Sequence, residues 1–205
     1  MIPLTEEQHA IIQYPLQPHD VLKIIAFAGT GKTTTLVHFA AARPQWQFLY
    51  VAFNKSVQVE ATRKFPQNVL CKTAHSLAWP QCGAQYRNKI IGQLRVNQIM
   101  DALKLTQYDV AKLTLETLGR FLVSAEARMQ PHHIPELAHT LYASKTMPDF
   151  VQLAERLWHR MQQPQDATIG MLHDGYLKLY QQSHPVLDFD CILLDEAQDT
   201  NPVTA

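Results

Sequence analysis

The segment AFAGTGKT at 26–33 decides the fold expected for this chain. The short apolar run KIIAFA at 23–28 leads into it, and residues 32–42 after it predict a helix that ends before Pro44. A strand, a glycine-rich turn and a helix in this order form a phosphate-binding loop. The small residues let successive backbone N–H groups surround phosphate oxygens, and the helix N-terminus adds a partial positive charge. The first position of the usual pattern is Ala26 rather than glycine.

Three more apolar runs predict further buried strands. They are QFLYVAF at 47–53, NVLCKT at 68–73 and the start of CILLDEAQD at 191–199. Residues 55–65 predict a helix between the first two runs, closed by Pro66. Apolar runs that alternate with helical segments indicate β-α-β units and a mainly parallel sheet.

Residues 81–183 have a different pattern, with helical periodicity and no strand-like run. Less regular helical stripes cover 110–122 and 171–180, and one regular amphipathic stripe consists of Phe150, Leu153, Ala154, Leu157 and Met161. We therefore predict an α/β fold with a parallel sheet flanked by helices. In this prediction, residues 1–80 and 184–205 form the sheet-containing core and 81–183 form an all-helical insertion.

Two acidic residues follow the last apolar run directly. Behind a phosphate loop, Asp195 is expected to hold Mg²⁺ through water, and Glu196 is placed to accept a proton from an attacking water. Lys32 would reach the β- and γ-phosphates, and the Thr33 hydroxyl would bind the same Mg²⁺. The cation is needed because two carboxylates beside a phosphate would otherwise repel it.

The composition excludes several classes of protein. The chain has 205 residues, of which 46% are apolar and 18% charged, which excludes a disordered or collagen-like chain. No apolar run reaches the roughly 18 residues of a membrane span, and the N-terminus does not resemble a secretory signal. The 3 cysteines form no C-x-x-C pair, which is typical of a reducing compartment and predicts a cytoplasmic protein.

The net charge is zero, but the charges are unevenly distributed. Residues 23–128 hold 14 Lys and Arg against 5 acidic residues, a balance of +9, and the rest of the chain has a balance of −9. The middle of the chain could face a polyanion, and chance clustering explains the count equally well. Three histidines, at 132, 133 and 139, have no cysteine or acid at a familiar ligand spacing, so we interpret them as surface or turn residues.

Several segments, in chain order and together covering essentially the whole sequence, resemble the motifs of superfamily 1 DNA helicases of the UvrD/Rep group. The F-box DNA helicases are the most similar subgroup. The segments are LTEEQ (4–8), AFAGTGKTTTL (26–36), AFNKSVQVEATRKFP (52–66), KTAHSLAW (72–79), HDGYLKLY (173–180) and LLDEAQDTNP (193–202). The resemblance implies a RecA-like P-loop NTPase core, with ATP and Mg²⁺ as ligands and single-stranded DNA as partner.

The resemblance also implies roles for individual residues. Gln8 would recognise adenine, Gln198 would sense the γ-phosphate, and Lys32 and Glu196 would serve catalysis. The residues implied around the nucleotide are Ala28, Gly29, Thr30, Gly31, Lys32, Thr33 and Thr34, with Thr33 and Asp195 at the metal. The residues implied along the DNA strand are Phe53, Asn54, Lys55, Thr73, His75 and Ser76. Trp79 could stack on a base, although core filling explains it slightly better.

Such a motor has two RecA-like cores, and this sequence stops soon after the acidic strand, the Walker B strand of such folds. We therefore expect an N-terminal fragment that hydrolyses ATP feebly and does not unwind DNA unless a separate chain supplies the second core. A different hypothesis is a non-catalytic module that binds single-stranded DNA or a protein partner. A P-loop kinase is disfavoured, because Gln198, Asp199 and the T-x-H-S-L segment have no role in small-molecule phosphorylation.

Overall fold

The computed structural model describes residues 3–27 and 29–204. Its helices are α1 (Glu6–Gln13), α2 (Lys32–Ala41), α3 (Lys55–Lys64), α4 (Ala74–Ala78), α5 (Val96–Leu103), α6 (Tyr108–Leu122), α7 (Glu136–Leu141), α8 (Phe150–Gln162) and α9 (His173–Gln182). Its strands are β1 (Phe48–Ala52), β2 (Val69–Thr73), β3 (Ile90–Ile91), β4 (Met171–Leu172) and β5 (Cys191–Leu194). The chain is therefore α/β, with a small parallel sheet and many helices.

The chain divides into two compact units. The first runs to Ala74 and includes Leu187–Asp199, and the second comprises His75–Val186 together with the residues from Thr200 onward. The sequence-based division lay between 80 and 81 and between 183 and 184. In the structure the divisions fall after Ala74, Val186 and Asp199, so α4 apart from Ala74 and the residues Thr200–Thr204 are grouped with the helical unit.

The first unit is built on a parallel three-stranded sheet in the order β2-β1-β5. Phe48 of β1 lies opposite Val69 on one side and Cys191 on the other. Every residue of β1 is buried, as expected for a central strand covered on both faces. These three strands and the helices α2 and α3 confirm the corresponding sequence predictions.

The core of this unit contains several aromatic side chains. Phe39 of α2 meets Phe48 edge-to-face, with ring centroids 6.1 Å apart, and the rings of Tyr50 and Phe65 lie 4.7 Å apart. Such pairs add about 0.5–1.5 kcal/mol each beyond the burial of their area. These two pairs pack α2 and the C-cap of α3 against β1.

The prediction of a strand at 23–28 is wrong for its described residues, 23–27, which form no strand. The side chains of Ile25 and Phe27 are 86% and 88% exposed. A strand needs a neighbour that completes its ladder of hydrogen bonds. β1 already has partners on both sides, and residues 23–27 pair with neither outer strand of the described sheet.

The second unit is mainly helical. The predicted amphipathic helix is α8, whose buried residues include four of the five stripe positions, Phe150, Ala154, Leu157 and Met161. The less regular stripes correspond to α6 and α9. Val110, Leu113, Ile134, Ala138 and Phe150 join α6, α7 and α8 in one apolar cluster.

The predicted insertion is not all-helical. The short strands β3 and β4 pair in parallel, with Ile90 opposite Met171 and Ile91 opposite Leu172. The apolar spacing predicts a helix that includes Met171 and Leu172, and for these two residues the prediction is wrong. Gly170 allows the close approach, because a Cβ atom added there would lie 2.5 Å from the Cδ1 atom of Ile91. Runs of two residues are too short for a periodicity signal.

Candidate functional site

The glycine loop, defined here as residues 26–33, turns by means of two left-handed residues. Gly29 has φ 78° and Gly31 has φ 85°, a region that side chains with a Cβ atom rarely adopt. Gly31 is also the N-cap of α2, so the loop leads directly into the positive end of that helix. Ala28, predicted as a nucleotide contact, lies outside the described residues. Thr34 is exposed in the first turn of α2.

Thr33 and Asp195 meet although they are far apart in the sequence. The Thr33 hydroxyl donates to Oδ2 of Asp195 at 2.9 Å, and the Tyr50 hydroxyl donates to the same oxygen at 3.0 Å. Burial, followed by the negative charge of Asp195, raises the pKa of Tyr50 well above its usual value, so this phenol remains a donor. The carboxylate is thus held by one hydroxyl from α2 and one from the central strand.

Lys32 and Glu196 form the second contact between the same two segments. The Nζ atom of Lys32 lies 3.3 Å from Oε1 of Glu196. Gln198 donates its side-chain N–H to the other carboxylate oxygen, Oε2. The hydrogen bond from Gln198, together with the positive charge and hydrogen bond of Lys32, holds the pKa of Glu196 below its usual range. Glu196 is therefore a carboxylate at neutral pH.

Glu196 also has an unusual backbone conformation. Its φ of 51° lies in the left-handed region, which costs a non-glycine residue of order 1 kcal/mol or more. Its own N–H donates to Oδ1 of Asp195 at 3.0 Å. The turn after β5 therefore directs two consecutive carboxylates to the glycine loop.

Gln8 lies against the glycine loop. Its amide oxygen accepts from the backbone N–H of Thr5 at 2.9 Å, and its Nε2 atom donates to the Thr35 hydroxyl at 3.0 Å and to the Thr30 carbonyl at 3.4 Å. The Thr5 side chain accepts in return from the backbone N–H of Gln8, which completes a capping box at the start of α1. The position of Gln8 is therefore fixed by both α1 and the loop.

Sequence reasoning missed three of these participants: Thr5, Thr35 and Tyr50. The T-x-x-Q spacing at 5–8 is a known capping-box pattern, so Thr5 had a usable signal. A tyrosine in the middle of a buried apolar strand also needs a partner for its hydroxyl. Thr35 gave no such signal, because a threonine within a helix usually bonds its own preceding turn, as Thr35 does to Gly31.

Four residues predicted along a DNA strand lie at the carboxyl ends of β1 and β2. Phe53 directly follows β1 and is 63% exposed. Asn54 caps α3 by accepting from the backbone N–H of Val57 at 2.9 Å, and Lys55 donates to the Gln58 side chain at 2.6 Å. Thr73 ends β2 opposite Ala52 of β1. In a parallel sheet this is the same edge at which β5 delivers its acids.

The remaining two predicted DNA contacts, His75 and Ser76, belong to α4 in the second unit. There the Nε2 atom of His75 lies 3.4 Å from Oδ1 of Asp174, and its ring packs edge-on to Tyr176 with centroids 5.8 Å apart. Trp79 also packs edge-on to Tyr176, at 5.6 Å, which agrees with a packing role for that indole.

The comparisons with known proteins give two curated relatives. F-box DNA helicase 1 of Gallus gallus is 34% identical over 98% of this chain and 22% of its own length. F-box DNA helicase protein 1 of Schizosaccharomyces pombe is 34% identical over 97% of this chain and 25% of its own length. No family model matches the chain, and no solved structure matches it.

The likeness thus extends over almost the whole chain and points to DNA helicases as the class. By sequence, the chain is similar to the F-box DNA helicases over nearly its whole length, and its superfamily 1 motifs fit this likeness. The chain spans about a quarter of the length of these curated relatives. Within the described ranges, no helix combines the length and apolar character needed to cross a membrane.

Proposed function

We propose that the first unit is a RecA-like ATP-binding core and that the chain is the N-terminal ATP-binding portion of a 3′→5′ DNA helicase. The observation that carries the proposal is the double contact between the glycine loop and the end of β5, Thr33 with Asp195 and Lys32 with Glu196. These two segments lie more than 150 residues apart in the sequence. A glycine loop, a lysine, a hydroxyl and two carboxylates in one place match what phosphoryl transfer requires.

The donor set fits both ATP and Mg²⁺. Hydroxyl and carboxylate oxygens are the ligands that Mg²⁺ prefers, and Thr33 and Asp195 supply one of each, already 2.9 Å apart. These two residues would hold the ion, which supplies charge neutralisation on the phosphates when it is bound. Lys32 would leave Glu196 and bind the β- and γ-phosphate oxygens instead.

Glu196 is the residue we assign to proton acceptance from the attacking water. It is ionised, half-exposed and oriented by Gln198, so it has the charge state that a general base needs. Gln198 would sense the γ-phosphate through its hydrogen bond to Glu196. Gln8 is held against the loop. When a nucleotide binds, the side-chain amide of Gln8 would exchange some of its present hydrogen bonds for hydrogen bonds to the adenine edge.

Nucleotide binding that depends on Mg²⁺ tests this proposal. We expect a fluorescent ATP analogue to bind the 205-residue chain at least about tenfold more tightly with Mg²⁺ than with EDTA, a difference of about 1.4 kcal/mol. Asp195→Asn should remove that Mg²⁺-dependent gain. Asp188→Asn makes the same change at an exposed aspartate ahead of β5 and should keep it. Folded protein that binds no nucleotide under either condition would contradict the proposal.

A second candidate function is a module that holds single-stranded DNA without turnover. The exposed ring of Phe53, between the end of β1 and the cationic Lys55, favours it, because aromatic faces and nearby cations are how proteins hold single strands. If the chain is part of a helicase, the same residues would contact DNA while ATP is hydrolysed. Strand separation would then also need a second RecA-like core, in another part of the protein or in a separate chain.

The Phe53→Ala variant tests the DNA contact. Loss of one base–aromatic stack, about 1–3 kcal/mol, should weaken binding of a fluorescent oligothymidylate by roughly 5- to 150-fold. Val59→Ala trims an exposed apolar side chain of α3 and should have no such effect. DNA binding that ignores ATP and survives Glu196→Gln would favour the non-catalytic module, and equal binding by wild type and Phe53→Ala would remove Phe53 from the interface.

A further inference from the structure

Two histidines and a glutamate of the second unit converge at the segment between α6 and α7. Oε2 of Glu126 lies 2.9 Å from Nε2 of His132 and 2.9 Å from Nε2 of His133. The ligand atoms of these three residues all lie within 4.8 Å of one another. The sequence predicts surface or turn histidines with no acid at a familiar ligand spacing, and the structure does place His132 and His133 in a short turn, Pro131–His133. The structure instead buries His133 and supplies the acid from Glu126.

The buried histidine has an unsatisfied nitrogen. His133 is 3% exposed, and its Nε2 atom makes no hydrogen bond in the described part of the chain, although the Glu126 oxygen is so close. The carboxylate therefore lies beside the ring nitrogen but away from the direction in which an N–H would bond to it. A buried polar atom without a partner costs about 1–3 kcal/mol, so this arrangement requires a reason.

The other ring nitrogen of His133 is already held. The backbone N–H of Gln130 donates to Nδ1 at 2.9 Å, and the carbonyl oxygen of Gln130 lies 3.1 Å from the same nitrogen. An ion on Nε2 requires the other tautomer, in which Nδ1–H donates to the Gln130 carbonyl instead of accepting from the Gln130 N–H, and Nε2 then presents a lone pair to the cluster. A backbone carbonyl on the far nitrogen is the usual support of a metal-binding histidine.

We propose that Glu126, His132 and His133 form a binding site for a zinc-type divalent ion, with water as the fourth ligand. Zinc binds histidine nitrogen and glutamate oxygen at about 2.0–2.2 Å in a tetrahedron, which brings neighbouring ligand atoms to about 3.3 Å apart. Ligand atoms that approach to 2.9 Å are thus already near that spacing. The ion would occupy the direction of the unsatisfied Nε2 and link both histidines to Glu126.

The surroundings of the cluster are compatible with a cation. His132 and Glu126 have side chains that are 63% and 42% exposed, which leaves an entry path. Lys178, a nearby positive charge, donates to the backbone carbonyls of Ser124 and Glu126 rather than to the carboxylate. A bound ion would tie the α6–α7 segment together. This site shares no residue with the site proposed for ATP and Mg²⁺, so the two assignments can fail independently.

The test is titration of the 205-residue chain, purified with a metal chelator, with Zn²⁺ and with Co²⁺. We expect one Zn²⁺ per chain, an increase in melting temperature, and with Co²⁺ the visible absorption of a tetrahedral complex. His132→Ala and Glu126→Gln alter exposed side chains and should each weaken binding at least about tenfold. His139→Ala, at an exposed histidine of α7, should leave it unchanged.

Each outcome of the titration either supports the proposed metal site or overturns it. His133→Ala should also abolish binding, but because the residue is buried, the exposed variants decide the question if it does not fold. No stoichiometric Zn²⁺ binding to the folded chain would overturn the proposal. So would Zn²⁺ binding that His132→Ala and Glu126→Gln leave untouched, since the ion would then lie elsewhere.

Discussion

Replacing Lys32 with alanine is expected to weaken ATP binding by roughly 10- to 100-fold, both with Mg²⁺ and without it. The ammonium group would make charge-assisted hydrogen bonds to the phosphates, and such bonds contribute about 1.5–3 kcal/mol each. Its present partner, Glu196, would then face the phosphates with no compensating charge, which adds repulsion. Equilibrium binding of a fluorescent ATP analogue measures the loss.

Two controls make this result specific to the site. Lys64→Ala removes the same charge from an exposed ion pair with Glu60 in α3 and should leave ATP binding unchanged. Lys32→Arg keeps the charge and should retain part of the affinity. Asp195→Asn differs from Lys32→Ala because only the Mg²⁺-dependent part of binding should be lost. Lys32→Ala protein that binds ATP as tightly as wild type would show that this loop does not hold the phosphates.

Most of the sheet of the first unit could be predicted, because long apolar runs bounded by helices carry their own signal. β1 and β5 have this pattern and form the sheet. The run at 23–27 has it too and forms no strand, because apolarity does not provide a hydrogen-bonding neighbour. Strand formation depends on a partner far away in sequence, and composition contains no information about that partner.

The charged residues of the candidate site could be predicted from the sequence. The residues that hold them in place were harder to predict. Lys32, Thr33, Asp195 and Glu196 could be named from motif spacing, and the structure brings them together. Tyr50 holds Asp195 from a strand that looks like simple core. Whether one side chain can hold another in this way depends on which face of a strand lies against which loop. Packing decides this arrangement.

At this site, the positive stretch 23–128 and the negative remainder of the sequence do not form two separate surfaces. Lys32 comes from the positive stretch, and its partner Glu196 comes from the negative remainder. In the second unit, Lys178 comes from the negative remainder and bonds to the backbone at 124 and 126 in the positive stretch. Pairing in the folded state thus mixes the two stretches, and their opposite balances alone do not define a binding face.

Lys178→Met is expected to lower the free energy of unfolding by about 2–4 kcal/mol at pH 7. Lys178 is fully buried, donates to the carbonyls of Ser124 and Glu126, and lies 4.4 Å from the ring centroid of Phe121. Methionine fills a similar volume but donates nothing, and each of these partly buried carbonyls left without that partner costs up to about 1–3 kcal/mol. Relief of the buried charge offsets part of this cost. Lys145→Met, at an exposed lysine, should change stability little.

The pH dependence of that difference identifies the buried amine as its source. Burial lowers the pKa of Lys178 from 10.5 to about 8, an effect that the charge of Glu126 only partly opposes. Between about pH 8 and 10.5 the folded state therefore releases the proton first while the unfolded chain retains it, so Lys178 makes the folded state more stable as pH rises. The stability of wild type relative to Lys178→Met should grow by up to about 3 kcal/mol across this window. Contributions from the cysteine thiols are common to both proteins and cancel in the difference. Urea denaturation at pH 7, 8, 9 and 10 measures it, and a difference that stays constant with pH would mean that Lys178 keeps an ordinary pKa in the folded protein.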